Sequence, residues 1–189
     1  METTIGILMG LGVLAVALVK AGKARAMNRT PPGPTTAAAP TYLEAAARTA
    51  ALKRAIKPSL LMGIGKVESN ANPKVGTTTL DPKGTAAGAW QMIKGTAEWL
   101  GYDYDAILAG DVVEQAESAA ELYRRNRDSV GEGDRGAIMA HWLGAGGARS
   151  VLRGETIGAG VHGQISLADG DAYVAKVIRA SSEYTWLDA

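Results

Sequence analysis

Four prolines within the eleven residues Thr30–Pro40 divide this chain in two. Proline fixes φ and lacks an N–H donor, so the segment reads as an extended, semi-rigid spacer rather than helix or inner strand. Ahead of it, Ile5–Val19 runs fifteen residues without a charge. With Thr3 and Thr4 it reaches the lower limit of a bilayer-spanning helix. Glu2 precedes the stretch, and Lys20, Lys23 and Arg25 follow it. A cleaved signal peptide would place its cations in front, although Ala24-Arg-Ala26 offers a small-x-small site. The expected organisation is a hydrophobic, transmembrane-type helix with basic flank (1–26), a Pro-rich linker (27–40) and one folded domain (41–189).

Composition removes several function classes. At 47% hydrophobic and 21% charged residues the chain has the usage of a globular protein. A formal charge of +1 is too small for a dedicated nucleic-acid binder, so no nucleic-acid recognition is expected. There is no cysteine, hence neither thiol nucleophile nor thiolate metal site, and two histidines, His141 and His162, do not make a His-rich one. No metal or organic cofactor is implied.

The folded part reads as mainly helical. Thr41-x-x-Glu44 has capping-box spacing and opens a helix through about Lys57. Pro58 ends that helix or begins the next, and Ser59 is a candidate cap for a second helix, Leu60 to Ser69. On it Leu60, Leu61, Ile64 and Val67 form an apolar stripe, and Glu68 shares the stripe's edge. Asn70–Ala87 is rich in turn formers and reads as turns with one short hairpin. Helical patterns resume at Gly95–Leu100, Val112–Arg127, Arg135–Leu143 and Asp171–Ser181. Arg124-Arg-Asn-Arg127 is most simply a solvated helix face.

Four short motifs carry the chemistry. In order they are Lys66-Val-Glu-Ser-Asn-Ala-Asn-Pro73, Ala86-Ala-Gly-Ala-Trp-Gln91 with Thr96-Ala97, Ala140-His-Trp-Leu-Gly144, and Tyr173-Val174. Over roughly residues 50–185 this ordered set resembles the lytic transglycosylases of the soluble (SLT-like, goose-lysozyme-related) family. Glu68, Ser69 and Pro73 match the first motif, and Ala86, Gly88, Gln91, Thr96 and Ala97 the second. The third keeps Ala140 and Gly144 but has His141 and Trp142 where the family has Tyr and Asn.

The resemblance implies a mainly α (α+β lysozyme-like) fold with a small irregular or β patch. It also implies cleavage of the MurNAc–GlcNAc bond in peptidoglycan glycan strands, leaving 1,6-anhydro-MurNAc ends. Cleaving a glycosidic bond needs a proton on a poor leaving group, and an acid keeps its proton near neutral pH in apolar surroundings. Glu68, beside Leu61, Ile64 and Val67, has that setting. By resemblance it is the single catalytic acid and base, and the substrate's N-acetyl group replaces a second carboxylate. Ser69 would orient it, and Tyr173 would reach it. Gly88, Trp90, Gln91, His141 and Trp142 are the remaining substrate-site candidates: Gln91 through its amide, and Trp90 through a sugar face or else the core. His141 would add pH sensitivity near its ordinary value of about 6.5. A hydrolase reading would need a second carboxylate, for which Asp81 and Asp103 are the candidates.

The setting follows from the flanks. Cations after the apolar stretch would hold the following domain in the cytoplasm, the wrong side for a cell-wall enzyme. A virion component, packaged in the producing cell and delivered from outside, escapes that conflict. The expectation is a virion-associated enzyme acting in the host periplasm during phage genome entry, in contact with the membrane through residues 5–19 and with other virion proteins. The alternatives are a bacterial inner-membrane transglycosylase of a secretion or conjugation system, and a non-catalytic virion protein.

Overall fold

A computed structural model describes residues 40–76, 86–158 and 163–189. Helix α1 (Tyr42–Leu52) starts with the expected capping box: the Thr41 N–H donates to Glu44 at 2.6 Å and the Glu44 N–H to the Thr41 hydroxyl at 3.3 Å. Its buried face is Leu43, Ala47, Ala50 and Ala51. It stops five residues short of the expected end. Lys57 precedes a proline and is therefore extended (φ −68°, ψ 119°), so the chain must leave the helix before it.

Helix α2 (Pro58–Ser69) begins with Pro58 in its first turn, two residues earlier than Ser59 as a cap would allow. Ser59 is inside the helix, and its N–H and hydroxyl both donate to the Asp188 carboxylate, at 2.8 and 2.7 Å. A side chain from the far end of the domain thus serves one orphan N–H of this helix start and the hydroxyl beside it.

The hairpin expected before Ala87 is centred just after it. Strand β1 (Ala86–Ala87) pairs antiparallel with β2 (Met92–Ile93), Ala86 opposite Ile93, and Gly76 bridges Ala87. Helix α3 (Lys94–Leu100) follows, then α4 (Tyr104–Ala109), a six-residue turn too short for a periodic signal. Helices α5 (Val112–Val130) and α6 (Gly133–Leu152) both outrun their predicted ends. Helix α6 passes Leu143 only by breaking: Gly144 adopts φ 71° and ψ 159°, and helical geometry resumes beyond it. A second two-residue pair, β3 (Ile157–Gly158) with β4 (Gln164–Ile165), precedes α7 (Leu167–Ser181) and a 3₁₀ helix (Ser182–Asp188). Helix α7 starts four residues early because Ser166 and Asp169 form a capping box.

Helix α5 packs between α1 and α6, and α2 lies against α7 and the 3₁₀ helix. Leu61, Met62, Ile64, Tyr123, Ile138, Met139, Val151 and Val177 fill the centre. Each such apolar side chain contributes about 1.5–3 kcal/mol on burial. The arginine run sits on α5 as expected. Arg124 pairs with Glu121 and Asp128, Arg125 pairs with Glu121 and lies over the Trp99 ring, and Arg127 donates to the Arg54 and Ala55 carbonyls. Among the described residues no helix is long and apolar enough to cross a membrane; the 5–19 stretch lies outside them.

The contact of α2 with α7 depends on Gly63. A Cβ there would fall 2.7 Å from the Val177 carbonyl oxygen and 2.9 Å from the Ser181 Cβ, so a side chain would push the helices apart. Overpacking of this kind costs about 1–3 kcal/mol. Gly63→Ala is expected to lower the unfolding free energy by about that amount in urea titration, whereas Gly95→Ala, whose methyl meets nothing, stays neutral or gains up to about 1 kcal/mol.

Candidate active site

Glu68 occupies the last turn of α2, and the chain turns away immediately behind it. Asn70 and Ala71 both take positive φ (59° and 55°), closed by Asn70 N–H to the Lys66 carbonyl at 3.0 Å and Ala71 N–H to the Gly65 carbonyl at 2.9 Å. This reversal leaves Glu68 half-buried at the helix end rather than in the following turn. The Tyr173 hydroxyl, from α7, donates a hydrogen bond to Glu68 Oε1. Tyr173 is 6% exposed. Burial, then the nearby Glu68 charge, hold its phenol well above the usual tyrosine range, so it remains a donor at neutral pH. The other carboxyl oxygen, Oε2, is the one Tyr173 leaves for a further partner.

Beside the end of α2 is the turn Gly88–Gln91, and the surrounding elements grip its backbone. Ser69 Oγ donates to the Ala89 carbonyl at 2.8 Å and to Gly65 at 3.3 Å, and accepts from the Asn72 N–H at 3.0 Å. Its hydrogen bonds thus go to backbone, not to Glu68: the hydroxyl fixes the turn to α2 instead of orienting the acid directly. Trp90 departs from the sugar-stacking expectation. Its ring is 1% exposed within the core and its indole N–H donates to the Leu61 carbonyl at 2.7 Å, so no ring face is open to a sugar. Gly88 does not offer a binding surface either. With φ +74°, an added Cβ would fall 2.4 Å from the Gln115 side chain, so this glycine lets the turn close on α5.

Gln91 takes φ 50° and its amide donates to the Gly88 carbonyl at 2.9 Å and the Val75 carbonyl at 3.4 Å. Its side chain is half-buried and braces the turn against itself and the segment at Val75. Gln115, which none of the four motifs contains, is a further support of this turn. Buried on α5, it accepts from the Ala89 N–H at 2.9 Å and donates to the Pro73 and Ile107 carbonyls at 2.8 and 2.9 Å. The available signal was a glutamine among Val112, Ala116 and Ala119, on an otherwise apolar helical stripe.

From α6, His141 Nε2 lies 3.2 Å from the Trp90 carbonyl, a contact that requires the proton on Nε2 and leaves Nδ1 an acceptor. Nδ1 is sealed from water and has no partner among the described residues. Burial drives the imidazole's affinity for a second proton down, outweighing the opposing pull of Glu68 and of the Trp90 carbonyl. The expected sensitivity near 6.5 is therefore displaced to lower pH. Trp142 stacks on Tyr173, ring centroids 5.3 Å apart and planes at 21°. Of the two carboxylates considered for a water-activating role, Asp103 caps α4 by accepting from the Asp105 and Ala106 N–H groups, and Asp81 lies outside the described residues. Among the described residues no group of three His, Asp or Glu side chains could hold a metal ion.

The sequence model of the family described as transglycosylase SLT domain matches residues 45–156, more than half of the chain. The chain belongs to this family. The SLT domain is the mainly α, lysozyme-like domain of lytic transglycosylases, and peptidoglycan is the substrate class it implies. The match spans Glu68, the Gly88–Gln91 turn and His141–Trp142, while Tyr173 lies beyond it. No curated protein and no solved structure gave a significant match.

The His141 geometry fixes the sign of a pH effect. Unfolded, the imidazole gains its proton near about 6.5; folded, only at lower pH. Between those values the unfolded chain binds more protons, so this contribution to stability is present above about 6.5 and is lost as the pH falls through the window below it. The melting temperature of the wild type is expected to fall between about pH 7.5 and 5.5, and His141→Gln, which cannot titrate, flattens that part of the curve.

Proposed function

We propose that this SLT domain cleaves the MurNAc–GlcNAc bond of peptidoglycan without water, with Glu68 as its acid and base. The carrying observation is the Glu68 carboxyl, half-buried at the end of α2 and held through one oxygen by Tyr173. With Oε1 engaged, Oε2 is the oxygen that exchanges the proton. In the first half Glu68 delivers its proton to the glycosidic oxygen, and the bond to the anomeric carbon breaks as positive charge develops there. In the second half the resulting carboxylate takes the proton of the sugar's own 6-hydroxyl, whose oxygen bonds to the anomeric carbon. Glu68 is protonated again, no water is consumed, and the product is a 1,6-anhydro-MurNAc end. Tyr173, always a donor, steadies the carboxylate between the halves.

The use of Asp103 as a helix cap favours this route over hydrolysis, which needs a carboxylate to activate water on the opposite sugar face. The resemblance implies that the substrate's own N-acetyl group supports the cation. Gln91, whose Nε2 is spent on the Gly88 and Val75 carbonyls, is proposed to meet that group through Oε1.

The cellular setting proposed is a phage virion, with the domain opening the host wall during genome entry. Its support is the charge order of the chain: an apolar stretch at 5–19, then Lys20, Lys23 and Arg25, then a proline-rich spacer. Probing purified, fractionated virions for the chain tests this part separately.

For the chemistry, the domain is incubated with purified sacculi and the released muropeptides are weighed by mass spectrometry. The expected product is lighter by one water than a reducing end. Glu68→Gln, which keeps the shape of the side chain, should slow release by roughly 10²–10⁴-fold while leaving the melting temperature nearly unchanged. Reducing ends as the main product, or unchanged release by Glu68→Gln, would overturn the proposal.

A further inference from the structure

Position 142 holds an indole where the family pattern has an asparagine, and its place in the fold gives it a different task. Trp142 lies on α6 two residues before the break at Gly144 and is partly buried against the core. Its neighbour His141 reaches the Trp90 carbonyl, so this stretch of α6 is already tied to the Gly88–Gln91 turn. On the other side, the Trp142 ring lies nearly parallel to the ring of Tyr173 on α7. Tyr173 in turn meets Glu68 on α2. One line of contacts therefore runs from α6 through two stacked rings to the carboxyl at the end of α2.

A phenol's hydroxyl lies in its ring plane, so the plane and tilt of the ring decide where the O–H points. Tyr173 has two side-chain torsions, and a flat partner at stacking distance restricts both. We infer that Trp142 is a positioning residue: it sets the plane of the Tyr173 ring and thereby aims the hydroxyl at Glu68, rather than binding a sugar itself. This rests on the proposed role of Glu68 and adds to it the part that places the acid's partner. Where the family pattern has a polar side chain, this chain has a rigid aromatic contact to Tyr173, the partner of Glu68.

The test is a double-mutant cycle on soluble, uncrosslinked glycan strands, with kcat and KM measured across pH for wild type, Trp142→Phe, Trp142→Ala, Tyr173→Phe and Trp142→Ala/Tyr173→Phe. A residue acting through Tyr173 should lower kcat about tenfold or more as alanine, with KM within about twofold of wild type. The pH profile of Trp142→Ala should shift as that of Tyr173→Phe does. Phenylalanine, which restores a stacking ring, should recover kcat to within about threefold, and the double variant should be no more than about twofold slower than Tyr173→Phe alone. Should Trp142→Ala fail to fold, Trp142→Leu, bulky but without a ring to stack, takes its place in the cycle. A raised KM at unchanged kcat would make the indole a sugar contact and overturn the inference, as would fully multiplicative losses in the double variant or a Trp142→Ala enzyme as fast as wild type. A wild type that releases no muropeptide from the strands overturns the proposed function and this inference with it. An active wild type with multiplicative losses overturns this inference alone.

Discussion

The close approach of α2 and α7 is the constraint on which the site depends. Only a residue without a Cβ at position 63 lets the Val177 carbonyl and Ser181 come so near. That approach brings a hydroxyl on one helix to a carboxylate on the other, 105 positions apart in the chain. Apolar burial supplies the attraction, but it is non-directional. The glycine turns it into a particular spacing. The hydrogen bond between Tyr173 and Glu68 rests on that spacing.

Around the pair, the turn at Gly88–Gln91 illustrates how a buried irregular segment is held. Backbone polar groups buried without partners are costly, so a turn that enters the core needs partners from outside itself. Here Ser69, Gln115 and His141 each take one backbone group, from α2, α5 and α6 respectively. Several residues that the motif pattern marks as candidate binding residues thus support the turn itself. Trp90 fills the core, Gly88 makes room for Gln115, and Ser69 ties the turn down. Glu68 and Tyr173 stand apart from these contacts and hydrogen-bond each other.

What was readable in the sequence was what is local. Thr41-x-x-Glu44 announces α1, the apolar spacing from Leu60 to Val67 announces α2, and the ordered motifs point to Glu68 and Tyr173. Ser166-x-x-Asp169 carried the same kind of signal and marks the true start of α7. The rest was hidden because it concerns the choice of distant partners. Nothing near Ser69 says that its hydroxyl serves Ala89 rather than Glu68, and nothing near Gln115 says that three backbone groups from elsewhere converge on it. The break at Gly144 was invisible for a related reason: a glycine in a helical pattern is common, and only the fold decides whether it continues or bends.

The cap on α2 has a consequence for how the domain assembles. The carboxylate that satisfies the start of this helix belongs to Asp188, 129 positions beyond Ser59. Contacts of such separation form late, because a long loop must be closed before they repay its entropy. The helix that bears Glu68 is therefore completed from its far end only when the two margins of the domain have met. A chain caught before that closure would hold every one of these residues and still lack a finished α2.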